Sequence, residues 1–187
     1  MNREYRGESK MSQFKKVSSN IKTTATYSKD GQYRYVLEKC WDEKGKKSVL
    51  ISLSAGKANE LFCDYTTMFI QNALSDKFGT VYILNAFAHV TEKAKTDAEN
   101  LRQIKEYVTK DDVDSIILCW GRGCESANKA IKDEIGKIEK IIEPVASKCM
   151  VITDNRGIRG LHPLRAQNNW ILKPWKVKKE EDKKNEE

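Results

Sequence analysis

The 187-residue sequence lacks several features that would assign it directly to a class of protein. It has no apolar run close to the roughly 20 residues of a membrane-spanning helix, and its N-terminus has no apolar stretch typical of a signal peptide. It has only two histidines, and its five cysteines show no C-x-x-C spacing, so no zinc-ligand pattern is present. We therefore expect a cytoplasmic protein with no metal, no cofactor and no membrane partner.

The sequence does contain an excess of positive charge. The formal net charge is +7, with 33% charged and 39% hydrophobic residues, which is enough apolar material for a folded core. The excess lies at the two flanks, with +5 in residues 1–40 and +3 in residues 151–175. A basic surface attracts polyanions because binding releases counterions, but a lysine-rich solubilising surface gives the same count. Charge therefore leaves nucleic-acid binding and plain solubility both open.

Composition along the chain predicts three parts. Residues 1–30 are polar and without a sustained period, so we expect a loosely ordered N-terminal arm. Residues 31–175 alternate strand-like and helix-like patterns, which predicts a single α/β domain. Residues 176–187 alternate blocks of both charge signs and are expected to form a disordered tail.

Four short runs rich in Val, Ile and Leu predict the central sheet, at residues 49–53, 80–84, 115–120 and 149–153. Such runs are typical of parallel strands that are covered on both faces. Amphipathic patterns between and after them predict helices over about residues 59–77, 97–108 and 125–142. The expected fold is a three-layer α/β sandwich with a mainly parallel sheet of about four to five strands.

In an open parallel sheet, ligands bind beyond the carboxyl ends of the strands. The segments that follow the four predicted strands are rich in small, polar and aromatic residues, and we expect them to meet at one edge. The candidate ligand-binding residues in these segments are Ser52, Ser54, Lys57, Asn85, Phe87, Trp120, Gly121, Arg122, Asn155, Arg156, His162 and Arg165.

Two glycine-containing segments match phosphate-binding motifs only in part. The loop at residues 54–57 is no P-loop, because Ile51 stands at the first glycine position and Ala58 at the hydroxyl position. The segment at residues 121–126 has Ser126 in place of the third glycine of a dinucleotide fingerprint. The simpler interpretation is a tight turn that leaves helix N-terminal amides free for an anion.

Asn85 and His162 each allow a functional and a structural interpretation. The amide of Asn85 can read the edge of a planar base, or it can hold an Asx-turn. His162 lies near Arg156, Arg159 and Arg165, a cationic setting that favours the neutral imidazole, which still donates a hydrogen bond. A lone loop histidine is also often only structural.

Taken together, the motifs of residues 33–175 resemble the domain-of-unknown-function family sixteen-forty-three, a group of small bacterial and phage proteins. The motifs are Tyr33-Arg34-Tyr35-Val36-Leu37 with Trp41, the loop at Ser54, Asp64-Tyr65-Thr66, Leu84-Asn85-Ala86-Phe87, Trp120-Gly121, His162-Pro163-Leu164 and Pro174-Trp175. The family usually has Asn-Pro-Ser where this chain has Ser52-Leu53-Ser54. The resemblance adds Thr66 to the candidate ligand-binding residues, but it brings no settled function.

The order of the loops is also similar to that of the uracil-DNA glycosylase superfamily. Ile83-Leu84-Asn85, Cys119-Trp120-Gly121 and His162-Pro163 match three of its motifs. The resemblance implies a glycosylase-like α/β sandwich that acts on DNA or a nucleotide, with Asn85, His162 and Asp64 as catalytic residues. Asn85 would pair with a flipped base, His162 would donate to a base oxygen, and the arginines would meet phosphates.

The first loop departs from this pattern, since residues 52–58 contain neither the Asp nor the Asn that the superfamily uses to position water. Asn59 and Asp64 are the nearest candidates. Three hypotheses therefore remain. The chain is a DNA glycosylase that excises a modified base, for instance in phage–host conflict; or a catalytically inactive nucleic-acid or nucleotide-binding module; or a small-molecule enzyme or protein-interaction factor.

Overall fold

The computed structural model describes residues 14–121, 128–166 and 170–175. Its elements, in chain order, are β1 (Lys22–Tyr27), β2 (Arg34–Cys40), β3 (Lys47–Ser54), α1 (Tyr65–Leu74), β4 (Thr80–Phe87), α2 (Ala98–Val108), β5 (Ser115–Leu118), α3 (Lys129–Ile142), a 3-10 helix (Glu143–Lys148), β6 (Cys149–Thr153), α4 (Pro163–Ala166) and β7 (Ile171–Pro174).

The strands form one mixed sheet of seven strands in the order β1-β2-β4-β3-β5-β6-β7. The central strands β4, β3, β5 and β6 are parallel to one another, and they are the four strands that the apolar runs predict. The α/β class is therefore confirmed. The predicted number of four to five strands is wrong, because β1, β2 and β7 add antiparallel pairs at the two edges.

Strand β1 lies within residues 1–30, the segment that the composition assigned to a loosely ordered arm. Residues 22–27 pair with β2 along its length, so this part of the arm is ordered. Its residues are mostly polar; Thr23 and Ala25 are partly covered on one face and the other four are exposed, which suits an edge strand. The polar composition of residues 22–27, which predicted a loosely ordered arm, is therefore that of an exposed edge strand.

Apolar side chains cover both faces of the sheet and divide the core in two. On one face, α2 and α3 pack over a core that includes Ile51, Leu84, Ile104 and Ile138. On the other face, α1 and α4 cover a second core. Its members include Leu50, Ile70, Leu74, Ile83, Ile117 and Ile152. We call these the α2–α3 face and the α1 face.

The chain reverses direction across the sheet after β4. It moves from β3 through α1 to β4 on one side, and then crosses back through α2 to β5 on the other side of β3. In open α/β sheets such a reversal opens a crevice at the carboxyl ends of the two strands that flank it. Strands β3 and β5 therefore flank the switch point. No helix among the described residues is long and apolar enough to cross a membrane.

Candidate functional site

Asn85 lies inside β4, which continues to Phe87, whereas the sequence predicted that the strand ends at Leu84. Its Nδ2 donates to Ser52 Oγ at 2.5 Å and to the Ser54 carbonyl at 3.0 Å. A side-chain amide has two hydrogens, and both are used by these bonds. The side chain is 2% exposed. Asn85 therefore has no donor left with which to read a base.

Arg34 completes this buried network, although the sequence did not predict it as a site residue. Its Nη2 donates to Asn85 Oδ1 at 3.1 Å, and its Nη1 donates to the Ala58 carbonyl. The Nε has no hydrogen-bond partner among the described residues. Burial lowers the pKa of Arg34, while the Coulombic influence of Tyr27 and Asp64 raises it. The guanidinium thus ties the loop after β3 to strand β4.

Asp64 is the N-cap of α1. Its Oδ1 accepts from the Thr67 amide at 2.9 Å, which is a bond typical of a capping aspartate, and its Oδ2 accepts from the Ala58 amide at 3.3 Å. The loop approaches this carboxylate so closely that a side chain at Gly56 would collide with it. Asp64 therefore holds the loop at residues 55–58 against the start of the helix.

Gly121 and His162 come together, as expected if the segments after the parallel strands meet at one edge of the sheet. Gly121 has φ +89°, a conformation that favours glycine, and a Cβ at this position would stand 3.3 Å from the Cβ of His162. The neighbouring Trp120 is partly buried and packs against the core of the α2–α3 face. The loop after β5 and the segment after β6 therefore touch at the carboxyl edge of the sheet.

The imidazole of His162 is half-buried and has a lowered pKa. Burial is the larger cause, and the positive charge of Arg165 is the second. The Leu164 amide donates to Nδ1 at 3.3 Å, so in the neutral ring the hydrogen resides on Nε2. The neutral state was expected from nearby arginines, and desolvation proves to be its main cause.

The turn after β6 is organised around a buried aspartate. Asp154 accepts from the amides of Arg156 and Ile158 at 3.0 and 3.2 Å and from Arg156 Nε at 2.6 Å. The bond to Arg156 is the main reason that the pKa of Asp154 is lowered. The guanidinium of Arg156 is thus already paired, whereas Asn155 is exposed at the tip of the turn.

The remaining predicted ligand-binding residues differ in exposure. Ser54, Lys57 and Arg165 are exposed, and Thr66 is partly buried. Phe87 is 1% exposed and belongs to the core of the α2–α3 face, so its side chain is packed against protein in this structure, and its contact with a ligand stays a prediction. Arg122 lies outside the described residues.

The strand register shows how these groups share one edge. Ser52 is level with Asn85, and Ile51 is level with Leu118, so the polar network and the end of β5 lie at the same height. Strands β4 and β5 flank β3, which puts them about 10 Å apart at two strand spacings. The Asn85 network and the Gly121–His162 contact are therefore neighbours on either side of the switch point.

A separate open groove of about 610 Å³ lies beside β1 and β2. Tyr33 and Tyr35 stand with parallel rings 6.2 Å apart, and hydrogen bonding with Asp97 is the second cause, after burial, that raises the pKa of Tyr35 to about 12. The lining residues are Ser28, Lys29, Asp30, Tyr33, Tyr35 and Asp97, which include neither Asn85 nor His162.

Metal-ligating side chains and cysteine thiols are two further sources of chemistry. Within the described ranges, no group of three or more His, Cys, Asp or Glu side chains has the arrangement of a metal site. Burial raises the pKa of Cys119 well above its ordinary value and that of Cys149 to about 11, so these thiols are poor nucleophiles. Cys63 is exposed.

The sequence did hold one signal for Arg34. It is a lone cation inside Tyr33-Arg34-Tyr35-Val36-Leu37, a segment that otherwise reads as a buried strand. A charged residue is almost never fully buried unless it is paired or hydrogen-bonded, so such an interruption marks either an exposed position or a buried network. Only the contact with Asn85 distinguishes the two.

Comparison with known proteins gives one positive result. No curated protein matches the chain, and no solved structure matches it. Residues 34–164 match the model of a family described as protein of unknown function (DUF1643). The match starts at Arg34, contains the Asn85 network and the Gly121 loop, and ends in the His162 segment. Because it spans more than half of the chain, this protein belongs to the DUF1643 family.

Proposed function

We propose that this protein binds nucleic acid at the carboxyl edge of its sheet, in the region between the loop after β3, the loop after β5 and the His162 segment. The observation that carries the proposal is the contact of Gly121 with His162, which sets a neutral imidazole against the loop at the switch point. The order of the loops, which resembles that of uracil-DNA glycosylases, supports the same conclusion.

His162 is the group best suited to recognise a base. Its Nδ1 is occupied by the Leu164 amide, so the Nε2–H of the neutral ring is the donor for a base carbonyl oxygen. Exposed Arg165 and Lys57 would contact phosphates. Asn85 takes a positioning role in this proposal: it fixes the Ser52–Ser54 backbone from below and leaves the contact with the base to His162.

Base excision is the reaction we propose for this edge. The target nucleotide is rotated out of the stack, water adds to C1′ of the sugar, and the C1′–N bond breaks with its electron pair on the base. The base takes up the proton that the water releases. The Nε2–H of His162 stabilises the negative charge on the departing base, and Asp64 is the candidate carboxylate to orient the water.

Binding is tested by fluorescence anisotropy with oligonucleotides of about 16 nucleotides, single-stranded and duplex, between about 50 and 200 mM salt. We expect the affinity to fall steeply with salt. Replacing both cations, Lys57→Ala with Arg165→Ala, removes about two phosphate contacts and should lower the magnitude of the logarithmic salt slope by about 1.4 on single strands and about 1.8 on duplex.

The matched control removes two exposed lysines from the opposite edge. Lys44 lies in the loop before β3, and Lys105 lies near the end of α2, so both stand at the amino ends of the parallel strands. The Lys44→Ala/Lys105→Ala variant should keep the wild-type slope. Binding that is unchanged by salt, or an equal loss in both double variants, contradicts the proposed edge.

Excision is tested separately, by alkaline cleavage of DNA that contains normal or modified bases. Abasic sites should form with the wild type and disappear in His162→Ala, while binding is retained. If every substrate gives alkali-stable product and the affinity is intact, the protein is a binding module without catalysis.

A second candidate function, a small-molecule site, is favoured by the groove beside β1 and β2. Parallel tyrosine rings and the carboxylates of Asp30 and Asp97 suit a planar or cationic ligand. A thermal-shift screen with Tyr33→Ala as the control variant tests it. A ligand that stabilises the wild type and leaves Tyr33→Ala unchanged would support this candidate.

A further inference from the structure

The loop before α1 and the first turn of this helix expose a row of large apolar side chains. Leu61 is 92% exposed, Phe62 54%, Tyr65 77% and Met68 39%. We call these four residues the apolar ridge. Tyr65 and Met68 are three residues apart on the helix, so they are neighbours on its surface. Exposed apolar side chains that are grouped in this way indicate a contact surface.

The ridge is held in place by hydrogen bonds of the preceding loop. Asn59 Oδ1 accepts from the amides of Leu61 and Phe62 at 2.9 and 2.6 Å, and the Asn59 amide donates to the Phe62 carbonyl at 2.9 Å. Asp64 then caps the helix that carries Tyr65. The exposed rings are therefore presented by an ordered turn, which lowers the entropic cost of binding a partner.

The charges around the ridge suit a polyanion with uncharged faces. Helix α1 contains no charged residue over Tyr65–Leu74. Two exposed cations belong to neighbouring segments, Lys57 in the preceding loop and Arg165 on α4, which packs against α1; Glu60 is an exposed acid of the loop. Nucleobases present apolar faces beside phosphates, so they match an aromatic row with cations in the neighbouring segments.

We propose that the apolar ridge is a stacking platform for unpaired bases, and that the nucleic acid bound at the carboxyl edge is single-stranded where it crosses α1. This inference rests on the proposed nucleic-acid binding and adds the strand preference to it. A second copy of this chain fits the ridge less well. The ridge and Leu164 offer five exposed apolar side chains, against roughly 20–30 residues a side in a stable protein interface.

The test compares wild type with the double variant Phe62→Ser/Tyr65→Ser on single-stranded and duplex oligonucleotides of one sequence. The variant should bind the single strand at least about tenfold more weakly and the duplex less than about twofold more weakly. Tyr65→Phe should retain wild-type affinity, because the ring face remains. Ile171→Ser, at an exposed position on β7, is the control for removal of apolar surface elsewhere.

Fluorescence of 2-aminopurine in the single strand gives a direct readout of stacking. Wild type should quench it on binding, and the double variant should not. Unchanged single-strand affinity in the double variant, or an equal loss on duplex, overturns the platform while the proposed edge stands. A wild-type dimer that the double variant breaks also overturns it, because the ridge is then a protein interface. A wild type that binds neither oligonucleotide overturns both proposals.

Discussion

The two helical layers of this protein differ in the side chains that they expose to solvent. Helices α2 and α3 carry many charges and form ion pairs along their own surfaces, Glu99 with Arg102, Lys129 with Asp133 and Lys137 with Glu134. Helix α1 has no charged residue over its length and exposes Tyr65 and Met68 instead. The amphipathic pattern of α2 and α3 is that of helices that face water.

The cores beneath the two layers differ as well. Under α2 and α3 the sheet is covered mainly by aliphatic and aromatic side chains, with Asn100 and Glu134 as buried polar residues of these two helices. On the α1 face, the carboxyl end of the sheet holds the polar network of Arg34, Asn85 and Ser52. Buried polar networks cost free energy unless every member is satisfied. The comparison teaches that both faces carry an apolar core, whereas the α1 face also bears a polar network at the carboxyl end of the sheet and exposed apolar side chains, which are features expected of a site.

The largest expected effect on stability is that of truncating a fully buried apolar side chain, and the α2–α3 core offers one far from the proposed site. Ile138 is fully buried there, and Ile138→Ala should lower the free energy of unfolding by about 2–5 kcal/mol through lost burial and a cavity. Urea denaturation measures it. Nucleic-acid affinity should be unchanged at temperatures where the variant is folded. A loss of affinity in the folded variant would mean that the two faces are not separable.

A smaller effect on stability, with an added effect on binding, is expected at Asn85. Asn85→Ala leaves Ser52 Oγ, the Ser54 carbonyl and an Arg34 N–H without their partner, which should cost about 1–3 kcal/mol. Because the loop after β3 loses its tether, nucleic-acid affinity should fall too. Asn72→Ala, at an exposed position near the end of α1, is the matched control. Unchanged affinity in Asn85→Ala would show that this network does not contribute to nucleic-acid binding.

The third effect depends on pH and isolates His162. Its pKa is lower in the folded protein than its ordinary value of 6.5, so between the two values the unfolded chain binds more protons. Stability from this group is present above the unfolded pKa and is lost as the pH falls through the folded pKa. The free energy of unfolding should fall less in His162→Gln than in wild type between about pH 7.5 and pH 5.5.

Equal pH dependence of stability in wild type and His162→Gln would contradict the buried, neutral imidazole.

The smallest effect is expected for the surface ion pairs of the α2–α3 face. Lys129 is exposed and pairs with Asp133 at 2.6 Å. Lys129→Ala should change the free energy of unfolding by no more than about 0.5 kcal/mol, because exposed pairs are screened by water and salt. Thermal unfolding checks it. A change several times larger would show that this ion pair stabilises the fold more than an exposed, solvent-screened pair does.

The sequence predicted the central part of the fold well and the edges poorly. The four parallel strands are continuous apolar runs, because both faces of β3–β6 are covered, and such runs are readable from composition alone. Strand β1 is half-exposed and polar, and β7 is four residues long and ends in Pro174, so neither has that signal. Edge strands are specified by pairing with a neighbour, which no local pattern reveals.

The candidate site shows the same division. The loop positions were predictable, because carboxyl ends of parallel strands meet at one edge, and Gly121 and His162 do touch. Whether each side chain is free to bind a ligand or already hydrogen-bonded within the protein was not predictable. Whether Asn85 is free or occupied depends on Arg34, which is 51 residues away in the chain, and Phe87 turned into the core because β4 extends three residues beyond Leu84.

Amide hydrogen exchange, measured with and without a single-stranded oligonucleotide at saturating concentration, tests the central claim most directly. We predict that protection on binding concentrates in residues 54–58, 61–68, 119–121 and 161–165, with none in the loop at 41–46 at the amino edge. Protection that concentrates at Tyr33, Tyr35 and Asp97 in the groove, or at the amino edge, would contradict the account.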